Sequence, residues 1–134
     1  MPGSFFDTNV LVYLASEDTA KAARAEEILG EGGVISVQVL NEAANVCRRK
    51  MRLSWAETRS FLSLLRGLLP VRAITVEIHE AGIALAERYR LSVYDGMVAG
   101  AALDADCDVL WSEDMQDGLL IEGRLRVRNP FPVV

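Results

Sequence analysis

Asp7, Glu42, Asp95 and Asp114 stand where a compact α/β fold can gather chain segments. Asp7 and Asp114 each follow a short apolar run, Phe5-Phe6 and Val109-Leu110-Trp111, that reads as a buried strand. Glu42 and Asp95 lie near the starts of helical runs. Carboxylates gathered in one place repel one another unless a cation holds them, and hard divalent ions such as Mg²⁺ are bound by such oxygen clusters. The spacing therefore points to a metal centre. Each acid also has a structural reading. Asp7 is a good N-cap for the helix that follows it. Ser92-Val93-Tyr94-Asp95 is a capping-box sequence, with Asp95 reaching back to the Ser92 amide. Glu42 fits an exposed helix face shared with Asn45 and Arg49, and Asp114 and Asp117 fit a turn ahead of Gly118. What favours chemistry is the joint placement of the four.

The elements that must position these acids follow from hydrophobic period. Strands are expected at Phe5-Phe6, Val34–Ser36, Val71–Ile74, Val109–Trp111 and Leu125–Val127. Helices are expected over Val10–Ala15, Thr19–Gly30 and Val37–Lys50. Another follows the capping box Ser54-Trp55-Ala56-Glu57 and ends at Pro70. Thr75 caps the next, which carries Ile78, Gly82, Leu85, Ala86 and Tyr89 on one face. A last helix, Tyr94–Ala105, is rich in small residues and predicts close packing. Strands alternating with helices imply an α/β fold, a mostly parallel sheet covered on both faces. Ligands of such sheets bind beyond the carboxyl ends of the strands. Asp7 and Asp114 lie at two such ends, and Ser36 at a third leads to Glu42.

The 134 residues make one domain, 1–134, with no repeat or linker. No apolar run reaches the ~20 residues of a membrane span, and the N-terminus lacks a signal-peptide pattern. Cys47 and Cys107 read as reduced packing residues of a cytoplasmic protein. His79, the single histidine, leaves no Cys/His cluster for zinc. Net charge is −5 with a pI near 4.9, which taken alone argues against broad nucleic-acid binding. The bases are uneven, however: Arg48, Arg49, Lys50 and Arg52 cluster. They suit a helix C-terminus, where cations complement the dipole, and equally an RNA backbone.

Other chemistries fail on the residues. Asp104, Asp106 and Asp108 begin like an EF-hand loop, but Val109 and Met115 stand where glycine and glutamate are needed. An exposed helix-to-strand turn is expected there. No glycine-rich phosphate loop appears. A haloacid-dehalogenase phosphatase needs a second Asp where Asn9 stands. A receiver domain needs a late lysine, and the last one is Lys50.

Phe6-Asp7-Thr8-Asn9-Val10-Leu11 resembles the opening motif of PIN domains. Asn41-Glu42, Tyr94-Asp95 and Leu110 through Gly118 resemble the other three blocks, in order, across essentially the whole chain. With Asn129-Pro130-Phe131, the chain is most similar to VapC-type toxins of type II toxin–antitoxin modules. The resemblance implies a three-layer α/β/α sandwich and a Mg²⁺- or Mn²⁺-dependent endoribonuclease acting on RNA. It implies Asp7, Glu42, Asp95 and Asp114 as catalytic acids, and Asp7, Asp95, Asp114 and Asp117 at the metal. Thr8 and Asn9 match the supporting polar positions, and Ser112 keeps a hydroxyl where the family often has Thr. Glu113 is an extra acid beside Asp114; the spacing to Asp117 and Gly118 favours Asp114. The resemblance also implies an antitoxin partner and a homodimer. Trp55, Phe61 and Leu62 are candidates for an antitoxin groove, but the core is the stronger reading for them. A non-catalytic PIN-like RNA- or protein-binding module is the alternative.

Overall fold

Two adjacent phenylalanines with no solvent exposure anchor the first strand, β1 (Gly3–Phe6), in the middle of the sheet. The structure is a computed structural model that describes residues 3–131. After β1 come α1 (Thr8–Leu11), a 3₁₀ turn (Val12–Ala15), α2 (Thr19–Leu29), β2 (Ile35–Ser36) and α3 (Val37–Arg49). Then follow α4 (Trp55–Leu68), β3 (Val71–Arg72), α5 (Val76–Tyr89), α6 (Val93–Asp104), β4 (Cys107–Trp111), β5 (Leu120–Ile121) and β6 (Leu125–Arg128).

β1, β4 and β6 pair in parallel, with Phe6 opposite Trp111 and Trp111 opposite Arg128. β2 and β3 form a parallel pair that joins β1 through a bridge between Phe5 and Val34. The sheet is thus mostly parallel and central to an α/β/α sandwich, as the alternation of strands and helices predicts. Its core, with Phe5, Phe6, Ile35, Leu110 and Val127 fully buried, runs the length of these strands.

Three local differences from the sequence pattern have simple causes. The run Val10–Ala15 is split, because the chain tightens into a 3₁₀ turn after Leu11. β3 stops at Arg72, where its partner β2 gives way to the cap of α3. β5 is an antiparallel edge strand that periodicity does not reveal. It is two residues long and is paired to β6 through a turn with Glu122 and Gly123 at positive φ.

Most helices start where a polar side chain meets a free amide. Asp18, Ser36, Ser54, Thr75 and Ser92 each accept a hydrogen bond from the first turn. α6 is the small-residue helix, and it lies hard against α5. A β-carbon on Gly96 would stand 2.3 Å from the Gly82 carbonyl oxygen. One on Gly100 would stand 3.2 Å from the carbonyl of Ile78. This close approach fixes the first turn of α6, and with it Asp95, relative to the sheet. The Asp104–Asp108 segment is the expected turn: Asp104 pairs with Arg72, Asp106 with Arg124, and Asp106 takes a positive φ. Cys47 and Cys107 are buried and unpaired, as packing residues are. Among the described residues, no helix is long and apolar enough to cross a membrane.

Candidate active site

The carboxyl ends of β1, β2 and β4 open into a cleft of about 1020 Å³. Asp7, Glu42, Asp95 and Asp114 all line it, and so does Glu113. Val37, Val46, Met51, Ile74 and Tyr94 supply apolar wall.

Asp7 is the deepest of the acids, at 4% exposure. Its amide donates to the Trp111 carbonyl at 3.0 Å, which carries the β1–β4 pairing one residue past the strand. Its Oδ1 accepts from the Thr8 amide at 2.8 Å and so caps α1. Its Oδ2 accepts from the Ser112 hydroxyl at 2.9 Å and from Asn9 Nδ2 at 3.2 Å. The helix cap and the cleft acid are therefore the same carboxylate. Burial raises its pKa from 3.8 to about 6. The Ser112 hydroxyl and Thr8 amide pull it back down, and the charges of Asp95 and Glu42 push it further up.

Glu42 lies between two donors. Thr8 Oγ1 donates to its Oε2 at 3.0 Å, and Gln38 Nε2 to its Oε1 at 3.1 Å. The same Gln38 nitrogen also donates to the Tyr94 carbonyl at 3.2 Å. An amide NH₂ has two hydrogens, so one side chain ties α3 to the first turn of α6. The sequence motifs do not single out Gln38. The available signal is its place one helical turn before Glu42, a spacing at which side chains meet.

Asp95 is half-buried. Ser92 Oγ accepts from the Asp95 amide at 3.1 Å. The expected return bond from the Ser92 amide to the Asp95 carboxylate is absent among the described residues, where only the first half of the box forms. Burial raises the Asp95 pKa, the Ser92 side chain lowers it, and Asp114 raises it. Asp114 is exposed at the cleft edge.

The structure separates the two neighbouring acids of the last block. Glu113 is bound by Lys21 Nζ and by the Tyr13 hydroxyl, which donates at 2.7 Å. These partners, far away in sequence, keep its charge compensated, and Lys21 in turn packs on the rings of Tyr13 and Phe131. Asn9 links this corner to Asp7, because its Oδ1 accepts from the Glu113 amide at 2.9 Å. Asp114 has no ion-pair partner among the described residues. Asp117 does not reach the cleft. The turn through Gly118 aims it at the C-terminal segment, where its Oδ1 accepts from the Asn129 amide at 2.8 Å. It is not among the side chains that line the cleft, where the other expected metal ligands stand.

The basic cluster is also divided. Lys50 lines the cleft. Arg49 and Arg52 are exposed and without ion-pair partners among the described residues. Arg48 is engaged: it donates to the Leu53 carbonyl at 2.7 Å, and its guanidinium lies over the Trp55 ring, 4.2 Å from the centroid. Of the groove candidates, Phe61 is core at 8% exposure, Leu62 is half-buried, and Trp55 is 58% exposed.

Among the described residues, no three acidic, histidine or cysteine side chains converge closely enough to enclose an ion by themselves. The donor set still fits a hard cation. Its members are carboxylates, none of Asp7, Glu42, Asp95 and Asp114 has a basic partner among the described residues, and the cleft is wide enough for a hydrated ion. Mg²⁺ keeps several waters and needs one or two protein carboxylates.

The family model of the PIN domain matches residues 4–116. The chain belongs to the PIN domain family. Several solved structures share its fold. A toxin–antitoxin complex from Klebsiella pneumoniae is 23% identical with a TM-score of 0.72, covering 97% of this chain and 99% of that one. VapC20 of Mycobacterium tuberculosis, a sarcin–ricin loop cleaving toxin, is 18% identical with a TM-score of 0.68, covering 83% and 89%. VapBC2 of Rickettsia felis, bound to a promoter DNA fragment, is 19% identical with a TM-score of 0.69, covering 94% and 97%. At these identities the likeness establishes the PIN fold. No curated protein matches the chain.

Proposed function

We propose that this PIN domain is a Mg²⁺- or Mn²⁺-dependent endoribonuclease and the toxin of a type II toxin–antitoxin module. The observation that carries this reading is Asp7: a buried carboxylate with no cationic partner among the described residues, facing two further acids. Such an arrangement is costly unless a cation or a proton compensates it. Asp7, Glu42, Asp95 and Asp114 form the catalytic acid set. Asp7, Asp95 and Asp114 are the residues that would hold the ion. When bound, that ion supplies Lewis acidity toward water and a phosphodiester oxygen.

The chain's own residues do the rest. Ser112, Asn9 and the Thr8 amide fix both oxygens of Asp7. Thr8 and Gln38 fix Glu42 and leave its carboxylate turned to the same cleft. Lys50 sits on the rim, where a substrate phosphate would meet the one basic side chain of the lining among the described residues. Arg49 and Arg52 extend that positive edge. Asp117 has no part in this assignment. The toxin–antitoxin complexes among the structural neighbours support an antitoxin partner.

The test is cleavage of total cellular RNA by the purified protein, with ends mapped by sequencing. Cleavage that needs Mg²⁺ or Mn²⁺, stops with EDTA and disappears in Asp7→Asn is the expected result. RNA binding with no cleavage under any divalent ion would instead identify a non-catalytic module.

A further inference from the structure

Outside the cleft lining, Trp55 is the most exposed aromatic side chain of the described residues. Solvent reaches 58% of it, while a guanidinium covers one face. A singly exposed apolar side chain is ordinary by itself; what sets Trp55 apart is that it is held rigidly and ringed by cations. Trp55 is the first residue of α4, fixed by the complete Ser54–Glu57 capping box. Arg48 stacks on the ring at 4.2 Å and is itself anchored to the Leu53 carbonyl. The residues between include three more bases, Arg49, Lys50 and Arg52, all exposed and without ion-pair partners among the described residues. Arg52 takes a positive φ of 55°, so the loop turns sharply between the two helices. Lys50 and Met51 are cleft wall. Trp55 is five residues beyond Lys50, within roughly 18 Å even for extended chain.

We infer that Trp55 is a stacking platform for an unpaired nucleotide of the RNA substrate, flanking the cleft. The inference rests on the ribonuclease reading and narrows its substrate to RNA with single-stranded residues at or beside the cut. Three features favour this occupant. An aromatic face with an arginine plane beneath it accepts any base by stacking. The surrounding cations attract a phosphate backbone, whereas an apolar protein segment gains nothing from them. Base pairs within a duplex do not offer a free face to such a ring, so the platform selects against helical RNA. Arg48 is then a builder of the platform, and Arg49, Lys50 and Arg52 are its phosphate contacts.

The experiment measures affinity for a fluorescein-labelled oligo(U) of about 12 nucleotides, a length within the span of a single-strand site, and for a duplex of equal length. EDTA is present so that cleavage does not consume the probe, and salt is varied. The variants are Trp55→Ala, Trp55→Phe and Arg49→Ala/Arg52→Ala. Trp55→Ala is expected to weaken oligo(U) binding at least about five-fold, and Trp55→Phe to retain most of the affinity. Neither should change the slope of affinity against salt, because stacking releases no counterion. The double arginine variant should reduce that slope by about 0.7 for each phosphate it no longer neutralises. Unchanged oligo(U) affinity in Trp55→Ala overturns the platform, as does duplex bound as tightly as oligo(U). Loss of antitoxin binding by Trp55→Ala with RNA affinity intact reassigns the surface to protein. Because binding is read without metal, a failure here with metal-dependent cleavage intact leaves the ribonuclease standing. Stacking without any cleavage does the reverse.

Discussion

α4 and α6 both open on a serine followed three residues later by an acid, Ser54-Trp55-Ala56-Glu57 and Ser92-Val93-Tyr94-Asp95. In α4 the box closes. Ser54 Oγ accepts from the Glu57 amide at 3.0 Å, and Glu57 Oε1 accepts from the Ser54 amide at 2.9 Å. In α6 the serine makes its bond and the acid does not return one. Two things differ. Aspartate is one methylene shorter, and the close approach of Gly96 to Gly82 sets the first turn of α6 deep against α5. The consequences are opposite in sign. The Ser54 bonds lower the pKa of Glu57, while burial raises that of Asp95 against the lowering by the Ser92 side chain, and Asp114 raises it further. One carboxylate is committed to its helix; the other is held toward the cleft by a helix that its serine alone caps. The same four-residue signature thus encodes a cap in one place and a cap plus a free acid in the other.

Removing each acid in turn separates the two boxes most strongly. Asp95→Asn should reduce metal-dependent RNA cleavage by on the order of 10²–10³-fold, the scale of losing one preorganised electrostatic group. Glu57→Gln should leave the cleavage rate unchanged. Timed gel assays on the same RNA at saturating Mg²⁺ read both. Equal losses would mean that the two boxes do the same work, and that Asp95 has no special role in the cleft.

Asp7 extends the contrast to stability. Its folded pKa of about 6 lies above its ordinary 3.8. The folded state therefore binds the proton more tightly, and the associated stability is fully present below pH 3.8. It is lost as pH rises through about 6, and remains lost above. The shift corresponds to at most ~3 kcal/mol. Asp7→Asn should recover much of that at neutral pH and flatten the profile across the acid range, read by urea unfolding without metal. Mg²⁺ should stabilise the wild type and have little effect on the variant. A variant less stable at neutral pH would show that the Ser112 and Thr8 hydrogen bonds outweigh burial.

How much of this was legible in the sequence follows the range of the contacts. The caps at Ser36, Ser54, Thr75 and Ser92 act within one turn, and residue type with spacing reveals them. The gathering of Asp7, Glu42 and Asp114 at one edge follows from strand ends in a parallel sheet, so topology predicts it, whereas Asp95 follows a helix and is brought there by the packing of α6 on α5. The rest depends on distant partners. Nothing local to Glu113 indicates that Lys21 and Tyr13 will bind it. Nothing in Asp117 indicates that it will meet the Asn129 amide across β5 and β6. Trp55 reads as core more readily than as groove, and only the structure shows it exposed with Arg48 on its face. Periodicity also misses β5, because so short a strand carries no period.

Converting one box into the other is a finer test. Asp95→Glu lengthens the side chain by the methylene that Glu57 has. The longer carboxylate can reach the Ser92 amide, and its oxygens leave their place in the cleft. A displacement of about 1 Å costs up to roughly 10²-fold in rate, so a loss of cleavage of about 10- to 100-fold is expected. Thermal stability should hold or rise slightly. Full activity in Asp95→Glu would mean that the cleft tolerates either reach, and that the length difference between the boxes has no functional meaning.

The smallest expected effect belongs to the closed box itself. Ser54→Ala removes the hydroxyl that caps α4 and should destabilise the protein by about 1 kcal/mol, with cleavage unaltered. Its acid partner adds a pH signature opposite to that of Asp7. Glu57 has a folded pKa below its ordinary 4.5, so its contribution is present above pH 4.5 and is lost as pH falls through the folded value. The stability difference between wild type and Glu57→Gln should therefore close as pH is lowered. That between wild type and Asp7→Asn closes over the acid range for the reverse reason: there the wild-type carboxyl regains its proton. Unfolding curves for the two variants at acid and neutral pH separate these behaviours. If Glu57→Gln is destabilised equally at both, the box stabilises through the neutral side chain. The charge difference between the two helix starts would then have another origin.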